Sequence, residues 1–254
     1  MEPQQFRLFI NGEFVGSAKT FEKRRHSDNA LIGYIHEGGQ AEVDAAVAAG
    51  RAALKGPWGK MTVEQRTDLL HKVADEITRR FADFVQAEMN DTGQPKSMME
   101  HAMIPRGAAN FKIFADVVKN VPTESFMMPT PDGAGALNYA IRVPKGVIGV
   151  VCPWNAPLLL MTWKVGPALA CGNTVVVKPS EETPGTATLL GEIMNAVGVP
   201  KGVYNVVHGF GPNSAGEALT KHKDVAAITF TGETRTGAAI MKAAADGIRD
   251  VSFE

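Results

Sequence analysis

The sequence predicts an α/β fold: a doubly wound parallel sheet with N-terminal helices packed against it. Three observations carry that prediction. From Gly146 onward, short apolar runs at 147–152, 174–178, 203–207, 226–230 and 251–253 alternate with helical stretches at 158–171, 184–197, 213–221 and 234–245, the βαβ pattern of a parallel sheet. The runs show little two-residue alternation, as expected of strands covered on both faces. The chain has 254 residues, 44% of them hydrophobic, enough for one large domain or two medium ones.

The N-terminal elements follow in order. Phe6, Leu8 and Ile10 alternate with Arg7, Phe9 and Asn11, and Asn11-Gly12 is a hairpin signal before Phe14 and Val15, so a small strand pair is expected at 6–15. Val43, Ala46, Val47 and Leu54 recur at helical spacing over 40–54, and Gly56-Pro57 stops that helix. Thr62 followed by Gln65 is a capping-box pattern. It opens one long helix ending near Gly93, with Leu69, Leu70, Val73, Ile77, Phe81, Phe84 and Val85 on its stripe. A third helix is expected over 107–119, after Pro105. Residues 121–137 are rich in Pro, Gly and Met without period, an excursion leading into a strand at 138–143. The expected organisation is therefore 1–120 for the hairpin and helices, 121–143 for the excursion, and 144–254 for the sheet core.

Composition excludes several classes. The 26 Lys+Arg against 27 Asp+Glu give a formal charge of −1, which offers no bulk field for nucleic acid. No apolar run reaches the length of a membrane span, and MEPQQFRLFING lacks the basic start and apolar core of a signal peptide. A cytoplasmic protein is expected. Cys152 and Cys171 fit neither a disulfide scaffold nor a paired-cysteine zinc site, and both read as small buried hydrophobes. His36, His101 and His208 lack metal-ligand spacing, so no metal site is expected. Trp154 and Trp163 read as core or pocket walls.

Open α/β sheets bind ligands beyond the carboxyl ends of their strands. There the sequence places Cys152-Pro153-Trp154-Asn155, then Lys178-Pro179-Ser180-Glu181, then His208-Gly209-Phe210-Gly211, then 231–237, and finally Glu254. A glycine-bearing turn entering a helix presents free N–H groups to phosphate, and 232–237 fits that description. It is not a Walker A loop, because Ala238-Ala239 stand where Lys-Ser/Thr is needed. Gly209-Phe210-Gly211 begins like a dinucleotide fingerprint, with Ser214 at the third glycine position.

Together these motifs resemble the NAD(P)-dependent aldehyde dehydrogenase superfamily. PWN at 153–155, KPSE at 178–181, GFG at 209–211, FTG at 230–232 with Gly237, and a terminal strand ending at Glu254 occur in that family's order and approximate spacing. The resemblance spans essentially the whole chain. IPRGAANFKIFAD (104–116), TPDGAGALNYAIRVPKGVIGV (130–150) and LLLMTWKVGPALACGN (158–173) are similar to the dehydrogenases of 2-hydroxymuconic and 2-aminomuconic semialdehydes in bacterial meta-cleavage degradation of aromatics.

The resemblance implies NAD as cofactor, a Rossmann-like NAD-binding domain, and a homo-oligomer assembled through 121–143. It implies that the Asn155 amide donates to the oxyanion formed when a thiol attacks the aldehyde, a contribution of about 3–4 kcal/mol for such donors. Lys178 and Glu181 hold the adenosine ribose, and the carboxylate favours NAD over NADP. Pro153, Trp154, Ser180, Gly211 and Phe230 join the cofactor site, and the turn with Thr231, Gly232 and Gly237 takes the pyrophosphate. Glu233 departs from the serine common after FTG, and a carboxylate there is unwelcome unless it points away. Glu254 is the general base that activates water. Arg106 is the candidate cation for the substrate's distal carboxylate.

Plainer readings stand beside these. Lys178 and Glu181 form a solvated pair at a helix entry, and Arg106 answers Glu100 or Asp116 across a helix turn. The family's nucleophilic cysteine lies beyond the glutamate, so the chain is expected to be the N-terminal half of an enzyme, without the catalytic domain and inactive on aldehyde alone. It is expected to expose an apolar patch or strand edge where the rest would pack. The alternative is a non-catalytic NAD-binding module or a subunit partner.

Overall fold

The computed structural model describes residues 3–254. Five short strands come first: Gln4–Phe6 (β1), Leu8–Ile10 (β2), Glu13–Val15 (β3), Lys19–Arg24 (β4) and Leu31–Glu37 (β5). Asn11 and Gly12 both take positive φ, 52° and 79°, the backbone a two-residue hairpin turn requires, and β2 pairs with β3 as expected. The alternation over 6–10 is nevertheless not one strand. The chain breaks at Arg7: β1 joins β5 and β4 in a separate three-stranded sheet, while β2 docks antiparallel on the main sheet through Phe9 and Val206. Leu8 and Phe9 are both buried, because helices cover both faces of that edge.

The helices Gln40–Lys55 (α1), Pro57–Lys60 (α2), Val63–Arg79 (α3) and Phe81–Thr92 (α4) follow. Gly56 ends α1, and the capping box opens α3: Gln65 N–H donates to Thr62 Oγ1 at 3.3 Å, and Thr62 N–H to Gln65 Oε1 at 2.9 Å. The helix expected to run to Gly93 is two helices. Arg80 leaves helical geometry (φ −94°, ψ 24°), and α4 then ends at Gly93, whose φ of 69° makes it a left-handed cap. A three-residue turn, Lys96–Met98 (α5), runs through a π-helical turn, Met99–Met103, into Ile104–Lys119 (α6), so the third helix starts earlier than its sequence signals. Pro105 falls where the π-helical turn passes into α6, a junction already off the regular i→i−4 ladder. The excursion is a hairpin of Ser125–Met128 (β6) and Ala136–Tyr139 (β7); the strand expected at 138–143 lies earlier.

The core then alternates Val147–Val151 (β8), Pro157–Ala170 (α7), Thr174–Lys178 (β9), Gly185–Ala196 (α8), Tyr204–Val206 (β10), Ala215–Lys221 (α9), Val225–Phe230 (β11), Thr234–Ala245 (α10) and Asp250–Phe253 (β12). The strand order is β12-β11-β8-β9-β10-β2-β3, with the first five parallel. Each face of the sheet has its own apolar layer. Ile148, Val150, Val175 and Val177 pack with α3, α4, α6, α7 and α8, whereas Val147, Val151, Val176 and Ile228 pack with α1, α9 and α10. The chain winds outward from β8 through β9 to β10, then returns to β11 and β12 on the other side. The strand order therefore reverses between β8 and β11, where such sheets open a crevice at their carboxyl ends.

Candidate functional site

Strand register assembles the site. Val151 pairs with Lys178 on one side and Phe230 on the other, and Phe230 pairs with Phe253. The next residue on three of these strands continues the ladder: Cys152 N–H donates to Lys178 O at 3.1 Å, Thr231 N–H to Val151 O at 3.3 Å, and Glu254 N–H to Phe230 O at 3.1 Å. Cys152, Thr231 and Glu254 thus share one row at the switch point across β8, β11 and β12, with 153–155 rising from the end of β8.

The Glu254 carboxylate is held from two elements. Lys164 of α7 places its ammonium 3.2 Å from Oε2, and Thr231 Oγ1 donates to the same oxygen at 3.1 Å. Oε1 accepts no bond among the described residues. Lys164 is buried, and sequence reasoning missed it. Its only signal was a lysine inside an apolar helix stripe, where an ammonium needs a partner. Asn155 is exposed, with its side-chain amide free among the described residues and its carbonyl held by Gln94 Nε2 at 2.8 Å. Pro153 is half-buried beside it, and Trp154 is 60% exposed. Trp154 is therefore not a core residue, which corrects that part of the expectation and leaves it as a candidate wall of the site.

At the end of β9, Lys178 is buried and its ammonium lies 3.1 Å from Glu181 Oε2, so the two form a pair rather than two free groups. Ser180 is also buried, and its hydroxyl accepts from Glu182 N–H at 3.3 Å, which ties it to the local turn. After β10, Gly209 has φ 142° and a Cβ there would lie 2.7 Å from Ser214 Oγ; at Gly211 a Cβ would meet no atom within 4 Å. Phe210 leans on Phe21, with ring centroids 4.7 Å apart. After β11, Phe230 is buried beneath Gly232, where a Cβ would come within 2.6 Å of the ring. No side chain caps the N-terminus of α10, so its first N–H groups are open to an anion. Gly237 closes that first turn by donating to Glu233 O at 3.1 Å. The Glu233 carboxylate accepts from Arg235 Nε at 2.9 Å, which offsets its charge at the mouth of the turn.

Neither cysteine supplies a nucleophile here. Burial pushes the Cys152 thiol up to about 12, leaving it protonated and inert near neutral pH. Cys171 is exposed, contrary to expectation. It caps α7 where Gly172 (φ 83°) turns the chain, and Asn173 takes the inward place. His208 is buried with an unpartnered Nε2, and burial lowers its pKa to about 3.

A cavity of about 430 Å³ runs beside α7 over β8, β11 and β12, with Phe114, Trp163, Cys171 and Asp250 along it and Lys164 and Glu254 at its polar end. β12 beside it forms an edge of the main sheet, unpaired on its outer side among the described residues, which is the strand edge expected from the sequence. Arg106 of α6 stacks over the Trp163 ring, 5.0 Å from its centroid, and makes no ion pair among the described residues. The plainer partners are taken: Glu100 pairs with Lys96 at 3.2 Å, and Asp116 with His71 at 2.9 Å.

The site therefore gathers a free amide donor, a carboxylate held on one oxygen, an uncapped helix N-terminus and a lysine–glutamate pair, all at one sheet end. The open N–H groups among them suit an anion. Comparison with known proteins agrees. The profile of the aldehyde dehydrogenase family matches residues 14–254. A 2-hydroxymuconic semialdehyde dehydrogenase of Pseudomonas sp. (strain CF600) is 69% identical over 253 residues, covering 99% of this chain and 52% of that protein. A 2-aminomuconic 6-semialdehyde dehydrogenase of a Pseudomonas species is 58% identical over 251 residues, covering 99% and 51%. The structure of the NAD+ complex of an aldehyde dehydrogenase from Bacillus cereus superposes with a TM-score of 0.94 at 36% identity, over 99% of this chain and 51% of that one. The chain spans about half the length of the curated relatives it matches.

Proposed function

The chain belongs to the aldehyde dehydrogenase family, and from that premise we propose that it supplies the NAD site, the oxyanion donor and the general base of an enzyme oxidising an aldehyde to a carboxylate. The observation that carries this reading is the row at the switch point, where Asn155 rises from the end of β8 and the Lys164-held Glu254 follows β12, on either side of β11. The uncapped N-terminus of α10 would take the pyrophosphate, and Lys178 and Glu181 the adenosine ribose. Pro153, Trp154, Ser180, Gly211, Phe230, Thr231, Gly232 and Gly237 would wall the same site. The bound cofactor supplies a hydride acceptor. The chain's own part is electrostatic and acid–base. Asn155 Nδ2 donates to the carbonyl oxygen as it gains negative charge, and Glu254 takes a proton from the water that releases the acid.

The relatives' names point to a semialdehyde that also carries a carboxylate, and the unpaired Arg106 over Trp163 is the cation suited to hold it. On this reading Arg106→Met raises KM for a muconic semialdehyde about tenfold or more and leaves a simple aldehyde unaffected; equal effects on both would remove the assignment. The β6–β7 hairpin would join copies into a homo-oligomer. No helix among the described residues is long and apolar enough to cross a membrane, and we place the enzyme in the cytoplasm.

The second reading is a module that holds NAD without turning over aldehyde. Calorimetric titration and aldehyde turnover separate the two. NAD should bind, NADP more weakly, and Glu181→Ser should narrow that gap about tenfold by removing a like charge. Binding without turnover in the longest natural polypeptide would leave the module; no NAD binding at all would overturn both.

A further inference from the structure

We propose that Gln94 is a positioning residue for Asn155. This rests on the reading of Asn155 as oxyanion donor and adds what aims it. The link 153–157 joins β8 to α7 and has proline at both ends, so neither end offers an N–H. Between Cys152 N–H, which continues the sheet, and the first turn of α7, where Leu160 N–H bonds Ala156 O at 3.0 Å, backbone groups of 153–158 are held by side chains of one distant segment. Gln94 Nε2 donates to Asn155 O at 2.8 Å. Glu88 Oε1 accepts from Leu158 N–H at 2.6 Å, in place of the side-chain cap that Ala156 cannot give α7.

The holder is itself fixed. Thr92 Oγ1 donates to Glu88 O at 2.7 Å and accepts from Gln94 N–H at 3.2 Å, and the left-handed Gly93 turns the chain back toward the link. Gln94 Oε1 is buried without a partner, an unusual loss for a glutamine unless its amide must stay where it is. Holding the Asn155 carbonyl fixes the peptide plane, and with it the direction in which the Asn155 side chain leaves the backbone.

The test uses the full-length polypeptide and two variants. Gln94→Met removes the donor at similar length, and Gln94→Lys restores one. Hydrogen exchange of the peptide covering 153–160 should rise about tenfold in Gln94→Met, while β9 and β10 stay unchanged, and return toward the parent in Gln94→Lys. In turnover, Gln94→Met should lower kcat about tenfold with KM for NAD unchanged. In an Asn155→Ala background the same change should cost less than about twofold, because its route is already gone. Unchanged exchange, or losses that multiply in the double variant, would overturn the proposal. If Asn155→Ala itself leaves kcat intact, the oxyanion reading falls and the catalytic half of this proposal with it, while the exchange result still judges the contact.

Discussion

Burial decides which titratable residues near the site can change charge, and His208 shows this most sharply. Its folded pKa of about 3 lies below the ordinary value of 6.5, so the unfolded chain binds a proton first as pH falls. Its contribution to stability is complete above about pH 6.5 and is lost on the way down to pH 3, on the order of a few kcal/mol. His208→Gln should therefore flatten the acid limb of a urea-unfolding series between pH 6.5 and 4; an unchanged slope would show that another group governs it. At this scale the sequence was partly legible. Asn155, Lys178, Glu181 and Glu254 were found because each follows a strand end, and the structure places all four at the same end of the sheet. Lys164, Glu88 and Gln94 were not, because each acts on a residue more than sixty positions away. Nothing in local spacing marks such a partner.

Among the elements, α7 matters most to the site because it carries Lys164 and begins where the Asn155 link ends. Its N-terminus depends on Glu88 from α4, a carboxyl that burial pushes up to about 7, with Asp91 nearby adding to the effect. Here the sign is opposite to that of His208. The folded state holds the proton between about pH 4.5 and 7, so this contribution is complete at low pH and lost as pH rises through 7, again on the order of a few kcal/mol. Glu88→Gln mimics the protonated form and keeps an acceptor for Leu158 N–H. Relative to the parent it should gain thermal stability from pH 5 to 8, read as a difference in Tm. Helix and strand types were read well where period or caps were strong, as in α1, α3 and the five parallel strands. Two kinds of element escaped. The break at Arg80 has no glycine or proline to announce it, and β4 carries charge along most of its length and so offers no apolar run, whereas the apolar run at 31–35 in β5 was a signal that went unread.

For the molecule as a whole, the exposed β6–β7 hairpin is the part without a packing partner: Phe126, Met127, Leu137 and Tyr139 are each at least 60% exposed. Contiguous apolar exposure of that kind belongs to interfaces. On the assembly proposed through this hairpin, Met127→Lys with Leu137→Lys should shift sedimentation toward monomer while leaving NAD binding intact; unchanged sedimentation would overturn that assignment. The doubly wound order itself was legible because alternating runs and helices leave few other topologies, whereas docking of the N-terminal hairpin on β10 was not. That docking has a consequence in time. Asn11 N–H bonds Asn205 Oδ1 across 194 residues of sequence, so at synthesis rates of about 5–20 residues per second the hairpin leaves the ribosome roughly 10–40 s before its partner strand exists. Leu8 and Phe9, buried in the finished sheet, lack that cover during the interval, which leaves the hairpin at 8–15 open to a nascent-chain chaperone.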